Sequence, residues 1–324
     1  MSQKTAIVLG GSAGVGHAVV EALIDRGYRV GVIARGQDRL DAMETHLGDH
    51  VATAAADVGD ARALERAVDS LVSTLGRPDV WINSAMLTSY SRFEDVPPDE
   101  FNKIVETTLL GQVNGTRLAL RYMKRGNIVH IGSALAYQSL PFQAAYCTSK
   151  HGINGFVSAL RAELLRERRP ISLSIVQLPA VNTPQFDWAL NRLGKKPQPA
   201  PPILDPSAAA QAVLQAVDTD AREILVGKSV FALIFGSFVA PGWLDRKLAK
   251  DGAEAQKSAE AEPGGRENNM FAPVTYPASS RGRFDDRTRH DAVAIDGDKA
   301  RYIAFGGLAV TSFAAGLLLR KLFD

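Results

Sequence analysis

Short β-branched runs alternate with longer helical stretches from the N-terminus of this chain to about Gly227. Most of the runs are apolar throughout, which is typical of strands that are covered on both faces of a sheet. Seven strands are predicted, at Ala6–Leu9, Arg29–Ala34, Val51–Ala55, Val80–Asn83, Ile128–Gly132, Ser172–Gln177 and Ile224–Val226. Helices are predicted between them, among them Val15–Arg26, Ala61–Leu75, Asp99–Arg125 and Ala144–Arg168. The alternation predicts an α/β fold with a Rossmann-type, doubly wound parallel sheet of about seven strands and helices on both faces.

The composition of the 324 residues excludes several classes of protein. Hydrophobic residues make up 46% and charged residues 22%, which is typical of globular rather than disordered chains. The formal net charge is +2 without a long basic run, so we expect no nucleic-acid partner. The single cysteine, Cys147, can form neither an internal disulfide nor a multi-cysteine zinc site, which fits a reducing compartment. We expect no signal peptide, and we interpret His46 and His50 as surface residues, so no metal site is predicted.

A glycine-rich loop follows the first predicted strand directly and precedes an apolar helix. Its spacing, G-x-x-x-G-x-G, lets the backbone turn sharply and come close to a pyrophosphate. The helix that begins near Val15 would point its free N–H groups and the positive end of its dipole at that phosphate. We therefore take Gly10, Ser12, Gly14, Val15 and Gly16 as candidate cofactor-binding residues. The alternative is an ordinary turn, since glycine-rich turns are common.

The end of the second predicted strand distinguishes between two nicotinamide cofactors. A ribose with a free 2′-hydroxyl favours an acidic residue at this point, whereas a 2′-phosphate favours a cation. The chain has Arg35 there and no carboxylate before Asp38. Because a guanidinium can form a forked pair with a phosphate, we predict NADP(H) rather than NAD(H). The alternative is that Arg35 is a solvated base beside a helix.

Three residues in the middle of the chain have the types and spacing that proton transfer requires. Tyr146 and Lys150 are four residues apart, so on a helix they share one face. A phenol with a pKa of about 10 exchanges protons poorly at neutral pH, and a neighbouring ammonium lowers that pKa. Ser133, at the end of a predicted strand, could bind the same substrate oxygen. An isolated Y-x-x-x-K pair arises by chance in many helices, but its combination with Ser133 and the glycine loop rarely does.

Over about residues 4–227 the sequence resembles the classical short-chain dehydrogenases/reductases. Gly10, Gly14 and Gly16 match the family motif T-G-x-x-x-G-x-G, with Leu9 in place of the threonine, and the serine, tyrosine and lysine described above have the family's spacing. The resemblance implies hydride exchange between the nicotinamide C4 and a carbonyl or secondary alcohol carbon. It implies that the tyrosine transfers the proton of the substrate oxygen, that the lysine lowers the tyrosine pKa and binds the nicotinamide ribose, and that the serine orients the substrate. Tyr146 and Lys150 are therefore also candidate cofactor-binding residues.

Further motifs of the family are matched less closely. Asp57 and Val58 resemble its adenine-contacting Asp-Val pair, and Asn83 and Ala85 keep two positions of its Asn-Asn-Ala-Gly motif. Residues 178–183 (LPAVNT) resemble its Pro-Gly-x-Val-x-Thr motif, in which Thr183 would hold the nicotinamide carboxamide.

One departure concerns the fourth catalytic residue of the family. That residue is an asparagine in a V-N-x-x-G pattern, where it helps to hold a water that links the lysine to solvent. Here residues 107–111 are TTLLG, which places Thr108 at the asparagine position. We include Thr108 as a candidate catalytic residue, although its hydroxyl would serve the relay less well or another group would replace it.

The chain changes character after Gly227. Ser229–Ala240 is apolar but, at roughly 12 residues, too short to span a bilayer, so a core or interface helix is predicted, with a membrane-facing lip as the alternative. We predict a catalytic domain at 1–249, a polar linker or surface extension at 250–301 and a membrane-anchor helix at 302–321. Tyr302–Leu319 contains eighteen residues without a charge. This segment predicts a cytoplasmic catalytic domain tethered to a membrane, with a helix docked on the domain as the alternative.

The substrate is the least determined feature. Phe186, Trp188 and Leu190 fall where the family builds its substrate lid, and with the predicted anchor they favour a lipophilic carbonyl or alcohol, although a lid aromatic is often only packing. The resemblance also implies a homo-oligomer. The alternative function is a non-catalytic NADP(H)-binding sensor or membrane scaffold, which only the threonine at position 108 and the C-terminal segment support.

Overall fold

The computed structural model describes residues 3–306. Its strands are β1 (Thr5–Leu9), β2 (Arg29–Ala34), β3 (Val51–Ala55), β4 (Val80–Asn83), β5 (Ser89–Tyr90), β6 (Gly126–Ile131), β7 (Ile171–Gln177), β8 (Leu190–Asn191), β9 (Lys195–Pro197), β10 (Ile203–Leu204), β11 (Glu223–Val226), β12 (Lys257–Ala261), β13 (Thr288–Arg289) and β14 (Ala294–Asp296). Its helices are α1 (Gly14–Asp25), α2 (Gln37–Leu47), α3 (Ala61–Leu75), α4 (Pro98–Val105), α5 (Gly111–Tyr122), α6 (Ala144–Arg166), α7 (Gln185–Trp188), α8 (Pro206–Thr219), α9 (Lys228–Val239), α10 (Pro241–Lys247) and α11 (Ala253–Ala255). A π-helical turn at Glu106–Leu110 joins α4 to α5, and residues 297–306 are helical.

The main sheet has the strand order β3-β2-β1-β4-β6-β7-β11-β14. Its first seven strands run parallel and are the seven that the sequence predicts, so the Rossmann-type fold is confirmed. The predicted strand number is too low, because β14 adds an antiparallel edge strand beside β11. The remaining strands form three two-stranded pairs.

Two buried clusters cover the two faces of the main sheet. Ala6 and Val8 of β1 belong to the cluster that includes α1 and α8. Ile7 and Leu9 belong to the cluster that includes α3, α5 and α6. Because successive strand residues point to opposite faces, a strand between two helical layers has to be apolar at every position. This explains why the central strands are continuous hydrophobic runs in the sequence.

Residues 250–301 pack along the α/β domain. Their strands β12, β13 and β14 pair with β9, β10 and β11 respectively. An isolated parallel bridge also joins Ser279 to Ala13, in the glycine-rich loop. The extension therefore contacts strands β9 to β11 and the glycine-rich loop, while the predicted boundary at residue 250 stays a prediction.

The predicted membrane tether is contradicted. Within residues 3–306, no helix has both the length and the apolar character needed to cross a membrane. The helix that includes residues 297–306 begins against the domain, since Ala300 is buried and the Arg301 guanidinium pairs with Glu223 of β11. Most of the predicted anchor Tyr302–Leu319 lies outside the described residues. The membrane-tethered location and the terminal apolar helix are accordingly without support.

Candidate active site

The predicted site residues lie at the carboxyl end of the parallel sheet, where neighbouring strands end at one edge. Most of them follow a strand directly or by a few residues: Gly10 follows β1, Arg35 follows β2, Asp57 follows β3, Ala85 follows β4, Ser133 follows β6 and Thr183 follows β7. The chain crosses over between β1 and β4, and such a switch point opens a crevice in a doubly wound sheet. The topology thus brings together residues that are far apart in the sequence.

The glycine loop needs at least two of its glycines for steric reasons. Gly10 has a φ of +79°, and a Cβ on it would lie 2.6 Å from backbone atoms of Ala85. A Cβ on Gly16 would lie 2.1 Å from the Gly10 carbonyl oxygen. Only glycine fits either position, so the loop can turn tightly and present the N-terminus of α1 to the crevice.

A cleft of about 670 Å³ occupies this crevice. The predicted site residues in its wall are Gly10, Ser12, Gly14, Val15, Arg35, Asp57, Val58, Ala85, Ser133, Tyr146, Lys150 and Thr183. Gly16, Asn83 and Thr108 lie outside the wall. The structure therefore places most of the predicted cofactor residues and the serine, tyrosine and lysine around one space.

Asn83 and Thr108 support the wall from behind. The Asn83 side chain accepts a hydrogen bond from Trp81 Nε1 at 3.1 Å and donates one to Thr116 Oγ1 at 3.2 Å. The Thr108 hydroxyl accepts from the Leu87 N–H at 2.9 Å and donates to the Leu87 carbonyl at 3.1 Å. Since both functions of that hydroxyl are used, Thr108 ties the segment after β4 to the π-helical turn.

The serine, tyrosine and lysine come from two neighbouring elements. Ser133 follows β6, and its N–H donates to Gln177 Oε1 at 2.8 Å. Tyr146 and Lys150 lie one turn apart on α6, with the lysine Nζ 5.5 Å from the centre of the tyrosine ring. Lys150 also donates to the carbonyl of Ile131, at the end of β6, at 2.6 Å. These contacts hold the lysine between the tyrosine and the sheet.

Burial shifts the proton equilibria of this group. Burial lowers the pKa of Lys150 to about 7. Burial also raises the pKa of Tyr146 well above its usual value, and the Ser133 hydroxyl opposes that rise. The Tyr146 phenol therefore keeps its proton at neutral pH, while the Lys150 pKa lies close to neutral pH.

Asp57 is held as a carboxylate in the wall of the cleft. Burial alone would raise its pKa, but hydrogen bonds from Lys103 Nζ and the Gly59 N–H, each at 2.9 Å, lower the pKa overall. These donors also fix the side chain, so it can accept a hydrogen bond from a ligand only with its remaining lone pairs.

The sequence reasoning missed several residues of the cleft wall: Arg39, Tyr90, Gln143, Gln256 and Asn269. Arg39 lies in the first turn of α2, four residues after Arg35, and this second basic residue close to the end of β2 was an available signal. Gln256 and Asn269 come from the extension, where no motif marks them.

The lid aromatics combine packing with exposure to the cleft. The Phe186 ring packs against Tyr90 and Phe284, with centroid distances of 6.2 and 5.7 Å. Trp188 lies 5.2 Å from the Arg39 guanidinium. Both aromatics are buried and line the cleft, whereas Leu190 starts the short strand β8.

The chain was also compared with known proteins. A family model described as short chain dehydrogenase matches residues 4–191. An uncharacterized oxidoreductase of Bacillus subtilis is 26% identical over 258 residues, which are 77% of this chain and 72% of the relative. The 3-oxoacyl-[acyl-carrier-protein] reductase of Bos taurus is 31% identical over 169 residues, which are 51% of this chain and 71% of that protein.

Two solved structures share the fold. A short-chain dehydrogenase from Streptomyces avermitilis has a TM-score of 0.67 at 24% identity, covering 76% of this chain and 96% of that chain. A variant of actinorhodin polyketide ketoreductase, solved with NADPH, has a TM-score of 0.59 at 27% identity, covering 66% of this chain and 90% of its own. Because the family model covers more than half of the sequence, the chain belongs to the short-chain dehydrogenase/reductase superfamily of oxidoreductases.

Proposed function

We propose that this protein is an NADP(H)-dependent oxidoreductase that interconverts a carbonyl and a secondary alcohol, with Tyr146 as the general acid/base. The observation that carries the proposal is the convergence of Ser133, Tyr146 and Lys150 on a cleft whose other end is the glycine loop. A bound nicotinamide cofactor would supply or accept the hydride. We also propose that the protein assembles as a homo-oligomer.

The residues of the adenosine side fit such a cofactor. The glycine loop and the N-terminus of α1 would hold the pyrophosphate, because neither Gly10 nor Gly16 leaves room for a side chain. Asp57 and Val58 would face the adenine, and Thr183 would hold the nicotinamide carboxamide. The two arginines that follow β2 in the cleft wall, Arg35 and Arg39, favour a 2′-phosphate, and the ketoreductase with a similar fold was solved with NADPH.

At the end of the cleft opposite the glycine loop, three side chains would carry out the proton transfer. In reduction, Tyr146 donates its proton to the substrate oxygen as negative charge develops there. Ser133 stabilises the same oxygen with its hydroxyl. The Lys150 ammonium stabilises the tyrosinate that remains until a proton returns from solvent. Oxidation of the alcohol uses the same groups in reverse.

The substrate side of the cleft is largely apolar. Helices α9 and α10 contribute much of its wall, together with residues that precede α6 and the lid. The apolar side chains there are Leu135, Leu140, Phe186, Ala232, Leu233, Trp243, Leu244 and Leu248. Since apolar surface favours apolar ligands, we propose a lipophilic carbonyl compound as substrate.

The experiment is an assay of NADPH oxidation, followed by absorbance, with a homologous series of 2-alkanones and with NADH in parallel. Turnover is expected with NADPH, and kcat/KM is expected to rise up to about fourfold for each added methylene, from ~0.8 kcal/mol per buried CH₂. Absence of turnover with every ketone and of alcohol oxidation with NADP⁺ would contradict an enzymatic role. A flat dependence on chain length would contradict only the lipophilic substrate.

A further inference from the structure

Residues 262–285 of the extension, which we call the strap, run beside the cofactor cleft. The strap is attached to the lid by Arg266, whose guanidinium donates to the carbonyls of Asp187 and of Ala189, the latter at 2.7 Å. It is attached to the glycine loop by the Gly14 N–H, which donates to the Ser279 carbonyl at 2.9 Å. The strap thus connects the lid with the loop that holds a cofactor pyrophosphate.

Between these attachments the strap contacts Arg35. The Arg35 Nη1 donates to the Met270 carbonyl at 3.3 Å, and its Nη2 donates to the Asn269 carbonyl at 2.5 Å. Two backbone carbonyls therefore already use donors at the end of this guanidinium. A phosphate that bound Arg35 in a forked geometry would have to compete with them.

The neighbouring Arg39 is in a different situation. Its Nε and Nη1 atoms are buried, and among the described residues neither has a hydrogen-bond partner. Its guanidinium stacks on the Trp188 ring at 5.2 Å, and it lies in the cleft wall together with Arg35 and Asn269. Burial lowers the pKa of Arg39, and the nearby Arg35 charge lowers it further. Buried donors on a cation without an acceptor are costly, unless a ligand supplies the acceptor.

The strap also fixes the ring on which Arg39 stacks. The Asn269 N–H donates to the Trp188 carbonyl at 3.0 Å. The Asn269 side-chain amide is oriented so that its nitrogen donates to the Trp188 carbonyl at 3.3 Å. Its oxygen then accepts a hydrogen bond from Trp188 Nε1 at 3.2 Å. Tyr276 packs edge-on against the same ring, with a centroid distance of 5.5 Å.

Within residues 3–306, no carboxylate forms a direct ion pair with Arg39. Glu267, which raises the pKa of Arg39 by its charge, accepts hydrogen bonds from the Thr275 N–H at 3.0 Å and the Thr275 hydroxyl at 2.9 Å. The Asp57 charge raises the pKa of Arg35, against the larger lowering by burial, and Asp57 is paired with Lys103 at 2.9 Å. An anion is therefore the ligand that suits the unpaired nitrogen atoms of Arg39.

We propose that Arg39, held by Trp188 and the strap, is a specificity-determining residue that binds the 2′-phosphate of the cofactor. The proposal rests on the proposed use of NADP(H). It differs from the sequence prediction, because Arg35 anchors the strap while Arg39 supplies the free donors. The C-terminal extension thereby completes the cofactor site at its adenosine end.

The test is calorimetric titration of the full chain with 2′,5′-ADP and 5′-AMP, two probes that differ only in the 2′-phosphate. The variants are Arg39→Gln, Arg39→Lys and the control Arg66→Gln, which removes an equal charge from an exposed position on α3. We expect Arg39→Gln to weaken 2′,5′-ADP binding about 10- to 100-fold and to leave 5′-AMP binding within about twofold. Arg39→Lys is expected to be intermediate because it keeps the charge but loses the planar fork, and Arg66→Gln is expected to match the wild type.

The possible failures are distinguishable. If the wild type prefers 2′,5′-ADP and Arg39→Gln keeps that preference, the role of Arg39 is overturned while the proposed use of NADP(H) stands. If Arg39→Gln weakens the binding of both probes equally, the role of Arg39 is also overturned, because Arg39 would then act on the adenosine or on the fold. If the wild type binds the two probes equally, the NADP(H) preference fails, and the Arg39 proposal fails with it.

Discussion

At the level of single residues, the proposed mechanism requires the charge of Lys150 to support the proton transfer by Tyr146. The lysine lies 5.5 Å from the ring centre of the tyrosine, in a wall where burial lowers its pKa to about 7. Because a lowered lysine pKa means an ammonium below that pH and a neutral amine above it, the support for a tyrosinate is lost as pH rises. The pH dependence of turnover therefore reports on this pair.

We predict that kcat/KM for ketone reduction is highest below pH 7 and falls as the pH rises through the Lys150 pKa of about 7. The measurement is the pH profile of kcat/KM at saturating NADPH concentration. The control is Lys150→Arg, whose guanidinium stays charged, so its residual activity should lack this fall. A wild-type profile without a fall between pH 6 and about pH 8 would contradict the assignment.

Thr108 provides a second test at a single residue. Its hydroxyl bonds both the N–H and the carbonyl of Leu87. Thr108→Val leaves the buried N–H and carbonyl of Leu87 unpaired, so the free energy of unfolding should fall by about 1–3 kcal/mol. Thr108→Ser keeps the hydroxyl and should retain most of the wild-type stability. Denaturant unfolding of both variants is the measurement. A Val variant of normal stability with strongly reduced turnover would instead favour a proton-relay role.

The sequence was informative where one residue type alone serves a physical need. Gly10 and Gly16 belong to this class, because a Cβ at either position would overlap backbone atoms. Tyr146 and Lys150 were recognisable because helical spacing puts them on one face. The partner of Thr108 was not predictable, since its contact with Leu87 spans 21 positions and depends on the π-helical turn.

At the level of elements, hydrogen bonds of Arg266 join the strap to the end of α7 in the lid. Arg266 pairs with Glu262 within the strap and donates to carbonyls at the end of α7. Helix carbonyls at a C-terminus lack intrahelical partners, so a guanidinium there satisfies acceptors that water would otherwise bind. This contact attaches the strap to the segment that carries Phe186 and Trp188.

We predict that Arg266→Gln loosens the strap without unfolding the α/β domain. Limited proteolysis should cut the variant faster than the wild type between residues 262 and 285, because detached backbone is more accessible to a protease. Mass spectrometry of the fragments locates the cuts. Arg62→Gln, an exposed substitution on α3, is the control. Equal cutting rates in all three proteins would show that the Arg266 contacts do not hold the strap.

Elements that are long and have a clear hydrophobic pattern could be predicted from the sequence, whereas short polar elements could not. The parallel strands are buried on both faces and stand out as apolar runs. Strands β12, β13 and β14 have at most five residues and lie in a polar segment, where period-two alternation carries little information. Their pairing depends on distant partners such as β9 and β11, which local sequence does not specify.

At the scale of the whole molecule, the extension is part of the fold. It contributes β14 to the main sheet and buries Met270, Phe284 and Ala300. Apolar burial of this kind couples the two parts energetically. We therefore predict a single cooperative thermal transition in differential scanning calorimetry, with equal calorimetric and van't Hoff enthalpies. A separate transition at lower temperature, accompanied by loss of residues 262–285 to protease, would contradict this coupling.

We propose that the cleft is a hydride-transfer site with Tyr146 as its acid/base, and the substitution Tyr146→Phe is the test of this claim. The variant loses only the phenolic hydroxyl, so the cofactor contacts at the glycine loop and Lys150 remain. We predict that its kcat for NADPH-dependent ketone reduction falls by about 10²- to 10⁴-fold, while its Kd for NADPH stays within about threefold of the wild type. Unchanged turnover in a folded, NADPH-binding variant would contradict the claim.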